Sequence, residues 1–227
     1  MAGTLAFVGG GEFSEACAAF DAELLAASGG TEVLVLPTAA AFEHADRVGE
    51  RAAALFAGLG ATVRVLPVLH RAEADDAEIA DLVAGARFIY VADGSPLHLR
   101  SVLKDSSLFK AMRSAWEGGA VLAASGAGAT VLCDPMVDPR GGAYTVGLGL
   151  IEHLAIFPYH GTAADHLRDR SLDLLSPHAL LVGIDEATAL VRSPDGAWRA
   201  AGAGDVTVYV DGVATTFASG SVVDLPR

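Results

Sequence analysis

The chain has 227 residues, 28 acidic against 15 basic side chains, a formal net charge of −13 and 52% hydrophobic residues. This length suits one large domain that buries its own core without a disulfide or metal staple. The acidity is spread without long runs and argues against nucleic acid, because a phosphate backbone is bound mainly by clustered Lys and Arg.

Leu5–Val8 reads as a strand ending at Gly9-Gly10-Gly11, and a helical pattern follows from about Ser14 to Ala27. Val33–Leu36 is the next strand, closed by Pro37-Thr38, and a helix runs from about Phe42 to Leu59. Thr62–Leu66 is a third strand, Ala77–Val83 a short helix, and Phe88–Val91 a fourth strand ending at Ala92-Asp93-Gly94. Helical pattern then covers Leu97 to Trp116 with a break near Asp105-Ser106, and Ala120–Ala123 is a fifth strand. In the last third, Ala179–Ile184, Ala187–Val191 and Val206–Tyr209 read as shorter, partly antiparallel strands, with turns at Pro194-Asp195-Gly196 and Asp211-Gly212. Strands apolar on both faces, separated by helices, predict an α/β fold: a doubly wound, mostly parallel sheet covered by helices on both sides. No repeat, linker or composition shift marks a boundary, so residues 1–227 are read as a single domain.

A mean hydropathy of +0.42 invites a membrane reading. The longest apolar run lies between Glu117 and Asp134 and is cut by Gly118, Gly119, Gly126 and Gly128. It falls short of the ~20 apolar residues that span a bilayer. The N-terminus Met-Ala-Gly-Thr-Leu has no basic or apolar signal-peptide region. Cys17 and Cys133 lie outside any CxxC spacing and suggest buried thiols in a reducing cytoplasm. A cytoplasmic protein is therefore expected.

In doubly wound folds, ligands sit outside the C-terminal ends of the strands. Gly9-Gly10-Gly11-Glu12 lacks the G-x-G-x-x-G spacing and has no P-loop Lys, so it reads as a tight turn near a cleft rather than a nucleotide site. The segment Gly119 to Met136 is more informative. An apolar strand enters a turn of tiny residues, Ser125-Gly126-Ala127-Gly128, and a helix leaves it. Such an elbow lifts one side chain to a helix N-terminus, where backbone N–H groups can hold an oxyanion. The alternative is a plain strand–turn–helix whose small residues let the helix pack closely on the sheet.

This segment resembles the elbow of the serine peptidases of family S51, the cyanophycinase and dipeptidase E group, which reads Gly-Thr-Ser-Ala-Gly-Ala and is often followed by Asp-Pro-Met. The resemblance continues in order along the chain, through Gly9-Gly10-Gly11-Glu12, Leu97 to Leu103, Gly147-Leu148-Gly149-Leu150 and Gly183 to Leu190. It implies a fold of the class I glutamine amidotransferase type. It also implies a small peptide or amino-acid-like ligand, with homo-oligomers allowed. No cofactor is implied. A preference for acidic or aspartyl ligands would carry over by analogy, although the net charge opposes it.

The departures from the family pattern are as informative as the matches. Ungapped alignment puts Ala124 on the family's first Gly, Ser125 on its Thr and Gly126 on its nucleophilic Ser. Glycine has no side chain to attack a carbonyl. After the fourth strand, Asp93-Gly94-Ser95-Pro96 replaces a Gly-Gly-Asp-Gln-like loop. Pro96 has no N–H to donate, and Asp93 would oppose a developing oxyanion. Ser95 and Pro96 also fit as N-cap and first residue of a helix. In Phe157-Pro158-Tyr159-His160, Tyr159 holds the family's His slot and His160 follows one residue late. Asp185 or Glu186 would orient the His in the family's manner.

The candidate catalytic set is thus a degenerate one: Ser125, Gly126, His160, Asp185 and Glu186. The candidate ligand-binding set is Gly10, Gly11, Asp93, Gly94, Ser95, Ala127 and Tyr159. The favoured function is a family homologue that has lost covalent catalysis and persists as a ligand-binding or scaffolding protein. The alternative is an active hydrolase of small peptides or amides using Ser125 and His160. The histidines show no H-E-x-x-H or similar spacing, so no metal site is expected.

Overall fold

The structure, a computed structural model, describes residues 1–226. The first half alternates strand and helix: β1 Leu5–Val8, α1 Ala18–Ser28, β2 Glu32–Leu36, α2 Ala45–Gly58, β3 Thr62–Val65, α3 Arg71–Ala74, α4 Ala77–Ala84, β4 Phe88–Val91, α5 Pro96–Leu103, α6 Ser107–Glu117, β5 Val121–Ser125 and α7 Ala127–Leu132. The second half is richer in strands. It runs β6 Cys133–Asp134, β7 Met136–Val137, β8 Tyr144–Thr145, β9 Ile151–Glu152, β10 Leu154–Phe157, α8 Asp165–Leu174, β11 Leu180–Ile184, β12 Thr188–Arg192, β13 Trp198–Gly202, β14 Val206–Val210, β15 Val213–Phe217 and β16 Val222–Val223.

The main sheet has the order β16-β13-β12-β1-β5-β4-β2-β3. Strands β1 to β5 are mutually parallel, and β12, β13 and β16 extend the sheet antiparallel. Side chains alternate across it with period two. Leu5, Phe7, Leu34, Leu36, Ile89, Val91 and Leu122 pack on one face with α4–α7. Ala6, Val8, Val33, Val35, Phe88, Tyr90 and Val121 pack on the other with Phe20 and Leu24 of α1 and Phe56 of α2. Burial on both faces explains why these strands read as continuous apolar runs. Each fully buried Leu, Val, Ile or Phe contributes roughly 1.5–3 kcal/mol.

A second sheet, β10-β11-β14-β15, stands apart from the first. Its inner residues Ile156, Val182 and Val208 join the core beneath the main sheet, and Ala155, Leu181 and Tyr209 form a separate cluster flanked by Leu167 and Leu172 of α8. The three C-terminal strands expected from sequence are therefore divided. The segment at 188–192 belongs to the main sheet, and those at 180–184 and 206–210 to the second.

Other boundaries also move. The helix expected from Phe42 starts at Ala45, after a 3₁₀ turn at Thr38–Ala40 and a left-handed His44 at φ 63°. The break near Asp105-Ser106 is present: Asp105 adopts φ 61°, and the Ser106 hydroxyl accepts the Phe109 N–H to start α6. The fifth strand continues through Ser125, which lies opposite Val8.

Candidate active site

The extension of β5 decides the direction of Ser125. Alternation along the strand puts Ser125 on the side of Val121 and Ala123, toward α1, and not on the elbow. Its side chain is 0% exposed, and its Oγ donates to Glu12 Oε2 at 2.9 Å. Glu12 ends the glycine turn after β1 and is 5% exposed. Its other oxygen accepts the Asp93 N–H at 3.4 Å and lies 3.6 Å from the exposed Arg51 guanidinium. Burial, and then the nearby Asp93 charge, push the Glu12 carboxyl above its usual range, while the Ser125 hydroxyl pulls it back.

The elbow tip is Gly126, at φ 47° and ψ −105°, a backbone region that strains residues other than glycine. Its N–H is tied to Val8 O, which locks the turn to β1. A Cβ on Gly126 would lie 2.1 Å from Asp93 Cγ and Oδ1, so the Asp93 carboxylate fills the space above the tip.

The carboxylate is held there by three donors. Oδ1 accepts Gly94 N–H at 2.7 Å and Ala127 N–H at 2.6 Å, and Oδ2 accepts the Tyr159 hydroxyl. Two converging backbone N–H groups beside an elbow at a helix start have the arrangement of an oxyanion hole. Here they are satisfied by a side chain of the same molecule. Burial and Asp93 together push the Tyr159 hydroxyl far above its usual range, so it stays a neutral donor. Tyr159 reaches this place from a left-handed φ of 54°, with its ring over Gly10, where a Cβ would lie 2.2 Å from the ring carbon Cζ. Gly94 at φ 145° turns the chain against Ala39, and Ser95 then caps α5, accepting the His98 N–H ahead of Pro96.

His160 faces elsewhere. Its ring lies over Gly183, with Nε2 2.7 Å from the Tyr209 hydroxyl and Nδ1 3.4 Å from Asp185 Oδ1. Asp185 is fixed in turn by the Asp205 N–H at 3.0 Å. Glu186 is exposed and lies against Gly11, so of the two carboxylates expected to orient the His only Asp185 is placed to do so. Among the described residues no hydrogen bond joins His160 to Ser125.

Most of the sequence-derived residues fall into three groups, with Gly11 and Glu186 lying against each other apart from these and Ser95 capping α5. Gly10, Asp93, Gly94, Gly126, Ala127 and Tyr159 meet at the elbow. Ser125 sits behind it with Glu12. His160 and Asp185 form a separate set with Tyr209. Sequence reasoning assigned no role to Glu12, although a carboxylate directly after a glycine turn at a strand's C-terminal end was a usable signal. Tyr209 and the buried pair of Asp21 and Tyr90 were also missed. Asp21 is fully buried, and among the described residues neither its oxygens nor the Tyr90 hydroxyl has a hydrogen-bond partner; burial with the Glu12 charge pushes the Asp21 carboxyl up to about 8.

A cavity of about 230 Å³ opens beside Asp93 and Tyr159, walled by Pro96, Val137, Phe157 and Leu167. Among the described residues no group of His, Cys, Asp and Glu is placed to hold a metal ion, and no helix is long and apolar enough to cross a membrane. Cys17 and Cys133 are buried and unbridged.

A doubly wound sheet with a strand–elbow–helix unit at its centre, flanked by converging N–H donors, defines a protein of the serine-peptidase-like α/β class. The model of peptidase family S51 matches residues 5–198, and the chain belongs to that family. It is 28% identical over 197 residues to cyanophycinases of Synechococcus elongatus and Thermosynechococcus vestitus, covering 80% of this chain and 60% of each relative. The chain therefore spans about 60% of the length of these curated relatives. Among solved structures, a peptidase from an acI-B1 Actinobacterium superposes with a TM-score of 0.89 at 31% identity, covering 99% of this chain and 98% of the other. A putative peptidase E protein from Listeria monocytogenes, at 14% identity and a TM-score of 0.65 over 95% of this chain and 98% of its own, shares the fold.

Proposed function

We propose that this family member carries out no covalent acyl transfer and instead binds a small peptide or amino-acid-like ligand in the cleft above the elbow. The observation that carries the reading is the position of Asp93. Its carboxylate stands where a side chain on Gly126 would project, and it takes up the Gly94 and Ala127 N–H groups that a tetrahedral oxyanion would need. A negative charge held there opposes a second one developing. Ser125 does not replace the missing nucleophile in this reading. A nucleophile needs both a base in reach and a path to substrate, and Ser125, its hydroxyl donating to Glu12, is sealed on the α1 side of the sheet with no such path. Buried, unbridged Cys17 and Cys133 support a reducing, cytoplasmic setting.

The test is covalent labelling with a fluorophosphonate probe, run beside hydrolysis of β-aspartyl and α-linked dipeptides. The expected outcome is no labelling and no hydrolysis above buffer. Stoichiometric labelling that disappears in Ser125→Ala would overturn the reading.

A further inference from the structure

The cavity beside the elbow carries a charge pattern that narrows its ligand. Asp93 and Asp138 are the acidic residues of its wall, and among the described residues no Lys, Arg or His lines it. Asp138 is neutralised by Arg140, whose guanidinium forms three hydrogen bonds to it, and this holds the Asp138 carboxyl below its usual range. Asp93 has no such partner: among the described residues no cation makes a salt bridge to it. Its three donors are two backbone N–H groups and a phenol. These solvate the charge without cancelling it, and they leave part of the carboxylate's acceptor capacity unused. Glu12, directly behind it, adds to the negative potential. The rest of the wall is apolar, with the rings of Phe157 and Tyr159 and the side chains of Pro96, Val137, Ala163 and Leu167.

We propose that this cavity binds a small organic cation, a primary ammonium on an apolar body, with the ammonium at Asp93 and the body against Phe157 and Leu167. This deepens the ligand-binding reading above and rests on it. Charge complementarity selects the occupant. A carboxylate ligand would meet Asp93 with no basic side chain to offset the repulsion, and a neutral ligand would leave the Asp93 charge uncompensated in an apolar recess. An ammonium supplies donors for the free acceptor capacity and the missing positive charge, and the aromatic faces add a favourable cation–π contribution.

The experiment is calorimetric titration of the full chain at pH 7 with three probes of matched shape: benzylamine, benzyl alcohol and benzoate. Benzylamine is expected to bind at least tenfold more tightly than benzyl alcohol, with no measurable binding of benzoate. Asp93→Asn should bring benzylamine and benzyl alcohol within about threefold of each other, because the amide oxygen still accepts the N–H groups while the charge is gone. Ala163→Phe, which adds a ring to the cavity wall, should weaken benzylamine and benzyl alcohol together. Equal binding of all three, a preference for benzoate, or no binding of benzylamine at millimolar concentration overturns the proposal. A benzylamine preference that persists in Asp93→Asn, or benzylamine binding that Ala163→Phe leaves unweakened, overturns it as well. If Asp93→Asn does not fold, the ranking of the probes on the wild-type chain and the Ala163→Phe result decide the question. The non-catalytic reading fails on a different readout, covalent labelling, so the two ideas can fall separately.

Discussion

Asp93 Oδ1 accepts the backbone N–H of Ala127 at 2.6 Å, so the first helical residue after the elbow is capped by a side chain from a different strand end. The same oxygen takes the Gly94 N–H, and the other oxygen takes the Tyr159 hydroxyl. One carboxylate therefore ties together the ends of β4 and β5 and the loop after β10.

Removing that carboxylate should cost stability in proportion to the donors left behind. Asp93→Ala strands two N–H groups and a phenol, and a loss of about 1–3 kcal/mol in urea unfolding is expected. Asp93→Asn should cost less, because its carbonyl oxygen replaces Oδ1 and the Tyr159 hydroxyl can accept from its NH₂. Equal losses in the two variants would show that the hydrogen bonds at Oδ1 contribute little.

Gly126→Ser places a side chain at φ 47° and 2.1 Å from Asp93 Cγ. Steric strain and displacement of Asp93 together should destabilise the chain by roughly 2–4 kcal/mol. Adding Asp93→Gly should recover at least about 1 kcal/mol of this, because the two residues contest one volume. Strict additivity in the double-mutant cycle would contradict the contact. Gly126→Ser alone is expected to give no peptidase activity, since His160 is engaged with Tyr209 and Asp185.

Ser125→Ala removes the side-chain hydroxyl bonded to the buried Glu12 carboxylate. The hydrogen bond lowers the Glu12 pKa, so its loss raises it further. A carboxyl whose folded pKa is raised loses stability as pH increases through that pKa. The variant should therefore be penalised by about 1–2 kcal/mol more at pH 8 than at pH 5, as read by chemical unfolding at both. A penalty independent of pH would indicate that Glu12 is protonated throughout.

Asp21 makes a larger claim of the same kind. Its carboxyl is pushed up to about 8 by burial and by Glu12, against about 3.9 in the unfolded chain. Its contribution to stability is fully present below about pH 4 and falls as pH rises toward 8, with a slope of at most about 1.4 kcal/mol per pH unit for one proton. Asp21→Asn, uncharged at every pH, should flatten this part of the profile and be more stable than wild type above pH 8. Parallel wild-type and variant profiles between pH 5 and 9 would refute the assignment.

Much of the fold was legible because its signals are local. Leu5–Val8, Val33–Leu36 and Phe88–Val91 are short apolar runs closed by Gly, Pro or Asp, and two-sided burial leaves no other pattern. The second sheet was not legible. Its members at 180–184 and 206–210 have the same β-rich composition as 188–192, and sheet membership depends on contacts between segments far apart in sequence. At the site, the small-residue elbow with Gly126 at its tip could be read from the order of residues. The partners of Ser125 could not, because β5 runs two residues past Ala123, through Ser125, and strand alternation turns that side chain to the α1 face of the sheet.

The sequence by itself determined the alternation of strands and helices, the small-residue elbow and the glycine at its tip, since each depends on side-chain size and polarity over a few neighbouring positions. Only the tertiary structure decided what occupies the space above that glycine. Asp93 lies 33 residues before Gly126, in the loop that follows β4. It reaches the elbow because β4 and β5 run parallel and side by side, which brings their C-terminal ends to one edge of the sheet.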